Sequence, residues 1–283
     1  MSLIEQVVMD YFEKKEEIQF SKKYIDFERE VKHLNEQLIK LLENKKLNEY
    51  ARATKIYFAL PYLICTALNY KITVEHGLVM HNTRYVNLND KCCEYSLDEK
   101  KDAHKYFMNT IKFSKDILMQ THKIQELKEH LNAAPNKIQN FKYTSDFDYY
   151  TYLAAHPHRI KKLSDKIKKE IKEPHIIGTA HGAILPGLVL SNILKCNCYF
   201  IRHSQYKRLD NAPIMHSSDI NEIKGNAQKE IILLDEDLST GTTIINLREE
   251  IKKITNKTPK LAGVIYMQTS KIKPDFYSEY HRL

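Results

Sequence analysis

The sequence predicts a chain in two parts: a mostly α-helical region over residues 1–150, then an α/β core with a parallel sheet over residues 151–283. Three observations carry this reading. In the first half, apolar residues recur at steps of three and four, as they do along one face of a helix. From residue 175 they gather instead into short continuous runs separated by helical stripes, the alternation that builds a parallel sheet covered on both faces. One of those runs leads into a dense polar stretch, Asp235-Glu236-Asp237-Leu238-Ser239-Thr240-Gly241-Thr242-Thr243, far richer than a simple turn requires.

Leu3 to Phe20 reads as an opening helix. Phe27, Val31, Leu34, Leu38 and Leu41 then mark one stripe of an amphipathic helix. Residues 55–70 read as a buried helix entered near Pro61. Between Ile72 and Leu88, Gly77 and several asparagines point to a hairpin or a long loop. Phe107, Ile111, Ile117, Ile124, Leu127 and Leu131 form another long helical stripe, which stops before Ala134-Pro135. Residues 136–158, with Tyr143, Tyr149, Tyr150 and Tyr152, form a polar and aromatic connector. Ile160, Leu163, Ile167 and Ile171 belong to a basic amphipathic helix that ends before Pro174.

In the second half the expected strands are 175–178, 197–202, 231–234 and 261–268. Helices are expected at 183–194 and along the face of Ile244, Leu247, Ile251 and Ile254. A polar loop is expected over about 203–228.

The composition narrows the class. Hydrophobic residues make up 42% and charged residues 28%, enough for a sizeable core. The net charge of +8 is uneven: residues 1–150 hold 23 Lys/Arg against 22 Asp/Glu, and residues 151–283 hold 21 against 14. A basic excess in the second half suggests an anionic partner there. The five cysteines include adjacent Cys92-Cys93 and the near pair Cys196 and Cys198, which match neither a zinc knuckle nor a disulfide framework. Reduced thiols and a cytoplasmic location are expected. The first residues, MSLIEQVVMDYFEKK, carry acids where an export signal has a basic and then apolar stretch. The most apolar run, Ile56–Tyr70, is broken by Pro61 and falls short of the ~20 residues of a membrane span. His156 and His158 flank Pro157 with no acid or cysteine at ligand spacing, which reads as a loop and not as a metal site.

Chemistry concentrates at residues 231–247. IILL (231–234) is a strand buried on both faces, and open α/β sheets place ligands at the carboxyl ends of such strands. Ser239, Thr240, Thr242 and Thr243 supply hydroxyls around Gly241, and the following helix aims unpaired N–H groups into the same loop. That makes a nest for a phosphate monoester. Acids at the strand end are poor phosphate ligands, but they suit the two hydroxyls of a ribose. A P-loop is excluded because no G-x-x-x-x-G-K-[ST] is present.

This stretch resembles the diphosphoribosyl-binding signature of type I phosphoribosyltransferases. In that likeness Asp235 and Glu236 fall on the acidic pair and Thr240, Gly241, Thr242 and Thr243 on the 5′-phosphate loop, with Leu238 and Ser239 between. Asp237 replaces the commoner aliphatic residue. The acid-acid-acid form is closer to divergent members associated with tellurite-resistance and stress gene clusters.

The resemblance covers roughly residues 175–270 and implies a parallel-sheet phosphoribosyltransferase-like fold. It implies that Thr179, Ala180, His181 and Gly182 form a pyrophosphate loop, with His181 where related divergent proteins tend to have Arg. It also implies a hood loop within 202–219, in which Arg202, His203, Lys207 and Arg208 would neutralise the leaving group. Catalytic roles are thus expected for Asp235, Glu236, Arg202 and Lys207, with Arg208 and Asp237 among the substrate contacts.

The implied cofactor is Mg²⁺, held mainly through the substrate with Asp235 and Glu236 as protein ligands. The implied activity is transfer of a phosphoribosyl group from phosphoribosyl pyrophosphate to an unidentified, nucleobase-like small-molecule acceptor. The alternative is a non-catalytic sensor of phosphoribosyl pyrophosphate that regulates nucleic acid or a protein partner. The nearly neutral first half argues against a nucleic-acid role. No membrane partner is expected, and the 27–41 stripe offers a homodimer interface.

Overall fold

The computed structural model describes residues 29–43, 49–79, 88, 91, 93–132, 142–143, 153–203 and 210–282. The chain divides into two compact units, Met1–Phe147 and Asp148–Leu283.

In the first unit, β1 (Arg29–Glu30) pairs antiparallel with β2 (Lys142–Tyr143). The helices are α1 (Val31–Glu43), α2 (Glu49–His76), α3 (Leu97–Met119) and α4 (Ile124–Asn132). Two expectations change. Pro61 lies inside α2, not at its entrance. Tyr57, Leu60, Ile64 and Leu68 around it are buried, so packing offsets the hydrogen bond that a proline cannot donate. The same helix runs into the start of the stretch read as a hairpin or loop, as far as His76. The backbone then turns at Gly77, whose φ is +68°, and Leu78 bridges antiparallel to Lys91.

The stripe from Phe107 to Leu131 is two helices, because the backbone turns left-handed at Gln120 (φ 57°). The periodicity runs across the break because α3 and α4 bury residues against each other. Thr110 Oγ1 and His130 Nε2 are 2.9 Å apart, and the His130 ring stacks on Tyr106. At its start α3 is fixed by a capping box: the Glu99 N–H donates to Ser96 Oγ (3.2 Å) and the Ser96 N–H to Glu99 Oε2 (2.8 Å). The helix expected over Leu3–Phe20 lies outside the described residues, as does most of the 136–158 connector.

The second unit opens with α5 (Pro157–Glu170). The His156-Pro157-His158 segment is its start. Proline takes the first turn, and His156 Nδ1 caps it by accepting from the His158 N–H at 3.2 Å. There follow β3 (Pro174–Ala180), α6 (Ile184–Leu194), β4 (Asn197–Arg202), α7 (Ser217–Gly225), β5 (Glu230–Leu238), α8 (Thr242–Thr255), β6 (Lys260–Met267) and β7 (Phe276–His281). All five strands are parallel, in the order β4-β3-β5-β6-β7. The α/β class read from the sequence is the class observed. Helix α6 is apolar all round and buried, and it lies close on the sheet. A Cβ at Gly178 would come within 2.9 Å of the Phe200 ring, and one at Gly187 within 2.8 Å.

Two elements escaped the sequence reading. Helix α7 lies in the stretch taken as a polar loop. Buried Ile223 and buried Asp219 hold it, the latter accepting from the His216 N–H and the Tyr199 hydroxyl, each at 2.7 Å. Strand β7 is an edge strand, tied down by the Arg159–Glu279 ion pair (2.8 Å) and by the Lys166 ammonium on the Tyr277 carbonyl (2.5 Å).

Candidate functional site

The carboxyl edge of the sheet brings three segments together: the turn after β3, the end of β5 and the loop into α8. The turn is compact. The Ala183 N–H bonds to the Thr179 carbonyl (3.1 Å) and the Ile184 N–H to the His181 carbonyl (3.1 Å), and the Ala180–His181 peptide is cis. Thr179 and Ala180 are buried, while His181 and Gly182 are half-buried at the tip.

Beside this turn, Asp235, Glu236 and Asp237 are half-buried. The two segments touch: a Cβ on Gly182 would stand 1.7 Å from Glu236 Oε1, so any side chain at 182 would have to displace the end of that glutamate. Asp235 Oδ1 accepts from the Thr179 hydroxyl at 2.5 Å and from the Glu236 N–H at 3.1 Å. Burial pushes the Asp235 carboxyl up to about 6. Hydrogen bonds with Glu236 and Thr179 oppose that rise, and the Asp237 charge adds to it.

The 239–243 loop follows. Ser239 and Thr240 are exposed, and Gly241 is left-handed at φ 74°. Helix α8 makes its first backbone bond from the Ile245 N–H to the Gly241 carbonyl (3.1 Å), so the N–H groups of residues 242–244 precede its own ladder. Thr240 Oγ1 accepts from the Thr242 N–H at 3.4 Å and from the Thr242 hydroxyl at 3.2 Å. Thr243 is half-buried in the first turn.

Several expected site residues stand elsewhere. The Leu238 side chain is fully buried, packed so close to β6 that a Cβ on Gly263 would lie 2.6 Å from it. Its position after three acids suggested a ligand contact, but the strand is still regular there and its alternation turns Leu238 into the core. Ala180 is likewise a core side chain, leaving its backbone alone to the turn. Arg202 is 3% exposed and pairs through one guanidinium nitrogen with Asp210 at 3.3 Å. The Ile214 N–H bonds back to the Arg202 carbonyl at 2.9 Å, so Arg202 ties the two ends of the 203–213 loop. His203 is buried too but reaches the 239–243 segment: burial pulls its pKa down, opposed by nearby Asp210 and by a hydrogen bond with the Thr243 backbone. Lys207 and Arg208 lie outside the described residues.

One segment of the site was not anticipated. Residues 269–272, after β6, brace the 239–243 loop. The Thr269 hydroxyl donates to the Ser239 carbonyl (2.8 Å), the Lys271 N–H donates to the Thr240 carbonyl (3.1 Å), and a Cβ on Gly241 would be 2.6 Å from Ile272 Cγ2. The nearest sequence signal is the polar, proline-containing stretch 268–275, which carries no motif of its own.

Among the described residues, no group of three or more His, Cys, Asp or Glu side chains is arranged to hold a metal ion. None of the described helices is long and apolar enough to cross a membrane, and Cys65, Cys93, Cys196 and Cys198 form no disulfide.

Residues 150–279 match the family model described as the phosphoribosyl transferase domain. Among solved structures, the chain is similar to a purine phosphoribosyltransferase from Pyrococcus horikoshii Ot3 (24% identity, covering 48% of this chain and 89% of that one, TM-score 0.37). It is also similar to a hypothetical protein from Neisseria gonorrhoeae with bound ppGpp (17%, 48% and 82%, TM-score 0.38). A third is a hypoxanthine-guanine phosphoribosyltransferase from Bacillus anthracis str. 'Ames Ancestor' (17%, 47% and 79%, TM-score 0.36). No curated protein matches the chain.

Proposed function

With its residues 150–279 belonging to the phosphoribosyltransferase family, we propose that the chain transfers the phosphoribosyl group of phosphoribosyl pyrophosphate to a nitrogen of a nucleobase-like acceptor. One observation carries this reading. The acids Asp235–Asp237 stand between an anion-receiving loop at 239–243 and a tight turn at 180–182 that rests on Glu236. A 5′-phosphate, a ribose and a diphosphate need those three surfaces in that order.

In the proposed step the bond from the anomeric carbon to the pyrophosphate oxygen breaks, and its electron pair leaves with pyrophosphate. The acceptor nitrogen forms the new bond to that carbon and releases its proton to solvent. Thr240, Thr242 and the N–H groups at the start of α8 hold the 5′-phosphate, and that remote binding energy places the anomeric carbon. Asp235 and Glu236 receive the ribose hydroxyls and favour the positive charge that develops on the ring. Two carboxylates with substrate oxygens suit Mg²⁺, which when bound would neutralise the leaving diphosphate. Asp237 and His181 set this chain apart within the family, and we assign it to the divergent, stress-cluster type.

Calorimetry with phosphoribosyl pyrophosphate and Mg²⁺, followed by a pyrophosphate-release screen over nucleobases and small amines, tests this. Binding with release in the presence of one acceptor is expected. The Asp235→Asn/Glu236→Gln double variant should stay folded and lose turnover; near-normal release from it would refute the assignment.

A further inference from the structure

Thr179 has almost no exposed surface to offer a ligand. It is 2% exposed, the last residue but one of β3, and its neighbour Ala180 is 1% exposed. Its hydroxyl crosses the β3–β5 ladder to Asp235 Oδ1 at 2.5 Å. The register explains the meeting: Gly178 pairs with Leu234, so the next residue along each parallel strand comes abreast on one face. A threonine is stiff at χ1, so a buried hydroxyl of this kind stays where packing puts it.

The same carboxylate oxygen also accepts the Glu236 N–H at 3.1 Å. Two donors take up most of the lone-pair capacity of Oδ1, and the carboxyl also shares a side-chain hydrogen bond with Glu236, so the acceptor capacity left for a further hydroxyl lies chiefly on Oδ2. A hydroxyl bond to an ionised carboxylate at this length is of the strong, charge-assisted kind. It opposes burial, which drives the same carboxyl toward neutrality. Thr179 also leads directly into the 180–182 turn, whose Gly182 lies over Glu236. One side chain therefore joins the acid that faces the sugar to the turn that faces the diphosphate.

We propose that Thr179 is a positioning residue: its hydroxyl fixes which oxygen of Asp235 is presented to the ribose, and it makes no contact with the substrate itself. The inference rests on the transferase reading above, and it replaces the direct substrate contact that the turn's position in the sequence implied for this residue. It also separates two properties that a scaffold role would keep together. Losing the hydroxyl frees the Asp235 carboxylate to rotate and weakens its hold on the sugar. The backbone N–H groups of the turn, which would receive pyrophosphate, are unaffected.

The test measures binding of ribose 5-phosphate and of inorganic pyrophosphate separately, each with Mg²⁺, by calorimetry on the full chain. Wild type, Thr179→Val and Thr179→Ser are compared, with Thr179→Ala as a second hydroxyl deletion should the valine variant not fold. Removing one hydrogen bond to a charged group predicts about a tenfold or greater loss of ribose 5-phosphate affinity in Thr179→Val, with pyrophosphate affinity within about twofold. Thr179→Ser, which keeps the hydroxyl, should stay within about threefold of wild type for both ligands. Equal losses for the two ligands would make Thr179 a scaffold of the turn and overturn the proposal. So would unchanged ribose 5-phosphate affinity in the valine variant, or a serine variant as weak as the valine one. A wild type that binds neither ligand would instead sink the transferase reading, and this inference with it.

Discussion

The two ends of the parallel sheet bury polar side chains on the same face of one strand and treat them in opposite ways. At the amino end, His175 is fully buried with neither ring nitrogen hydrogen-bonded, and burial, with Lys229 adding, holds its pKa at about 4. Four residues on, at the carboxyl end, Thr179 is equally buried but is spent on Asp235, a carboxyl whose charge the edge partly resists. The first end accommodates a titratable group by keeping it neutral. The second keeps a carboxylate half-buried and surrounds it with donors, a nearby glycine and a phosphate-type loop. A polar group that the fold merely tolerates has no partner built for it, and one that the fold uses does.

Asp235 gives the largest way to break that comparison. Asp235→Asn should cut turnover about 100- to 1,000-fold, the usual cost of losing one electrostatic stabiliser. The same change should stabilise the fold. A carboxyl with folded pKa near 6 against an ordinary 3.8 contributes stability that is full below 3.8 and lost as pH rises through 6. Denaturant melts should therefore show the asparagine variant gaining stability relative to wild type as pH rises from 4 to 8. A variant that loses both activity and stability would make Asp235 a structural residue.

Gly182→Ala comes next. Its Cβ would collide with the Glu236 carboxylate at 1.7 Å. Displacing that acid or the turn should lower turnover on the order of 100-fold, with little change in the melting midpoint. Gly241→Ala should act more on stability, by about 1–3 kcal/mol. It forces an L side chain to φ 74° and against Ile272 at 2.6 Å. Weakened phosphate binding should accompany it.

His175 tests the other end. Its folded pKa of about 4 lies below the unfolded 6.5, so its neutral form supports the fold above 6.5 and stability falls as pH drops from 6.5 toward 4. His130 and His156, also held near 4 by burial, add to that slope. His175→Leu should remove part of the acid sensitivity and leave ligand binding at pH 7.5 unchanged, read from melts between pH 4 and 8. The smallest expected effect is Thr269→Val. It removes an exposed brace to the Ser239 carbonyl and should weaken ribose 5-phosphate binding about two- to fivefold.

Much of the second half was legible because its signals are local. Four buried strands announce themselves as apolar runs, and the acids, hydroxyls and glycine of 235–243 follow one another in the chain. What escaped was set by distant partners. Edge strand β7 looks polar until Arg159 and Lys166 are placed beside it. Helix α7 depends on buried Asp219 meeting Tyr199. In the first half, apolar spacing alone could not locate the break at Gln120, since a repeat of three and four continues across a kink that keeps the same side buried.

The sequence by itself determined the α/β class, the helical first half and the chemistry of the 235–243 stretch, because strand, turn and helix signals are written in neighbouring residues. Only the tertiary structure decided the role of each group. It turned Leu238 and Ala180 inward, paired Arg202 with Asp210, brought residues 269–272 under the 239–243 loop and set the Thr179 hydroxyl on Asp235. Such assignments depend on which residues of separate strands and turns come abreast, and parallel register fixes that only once the whole sheet has formed.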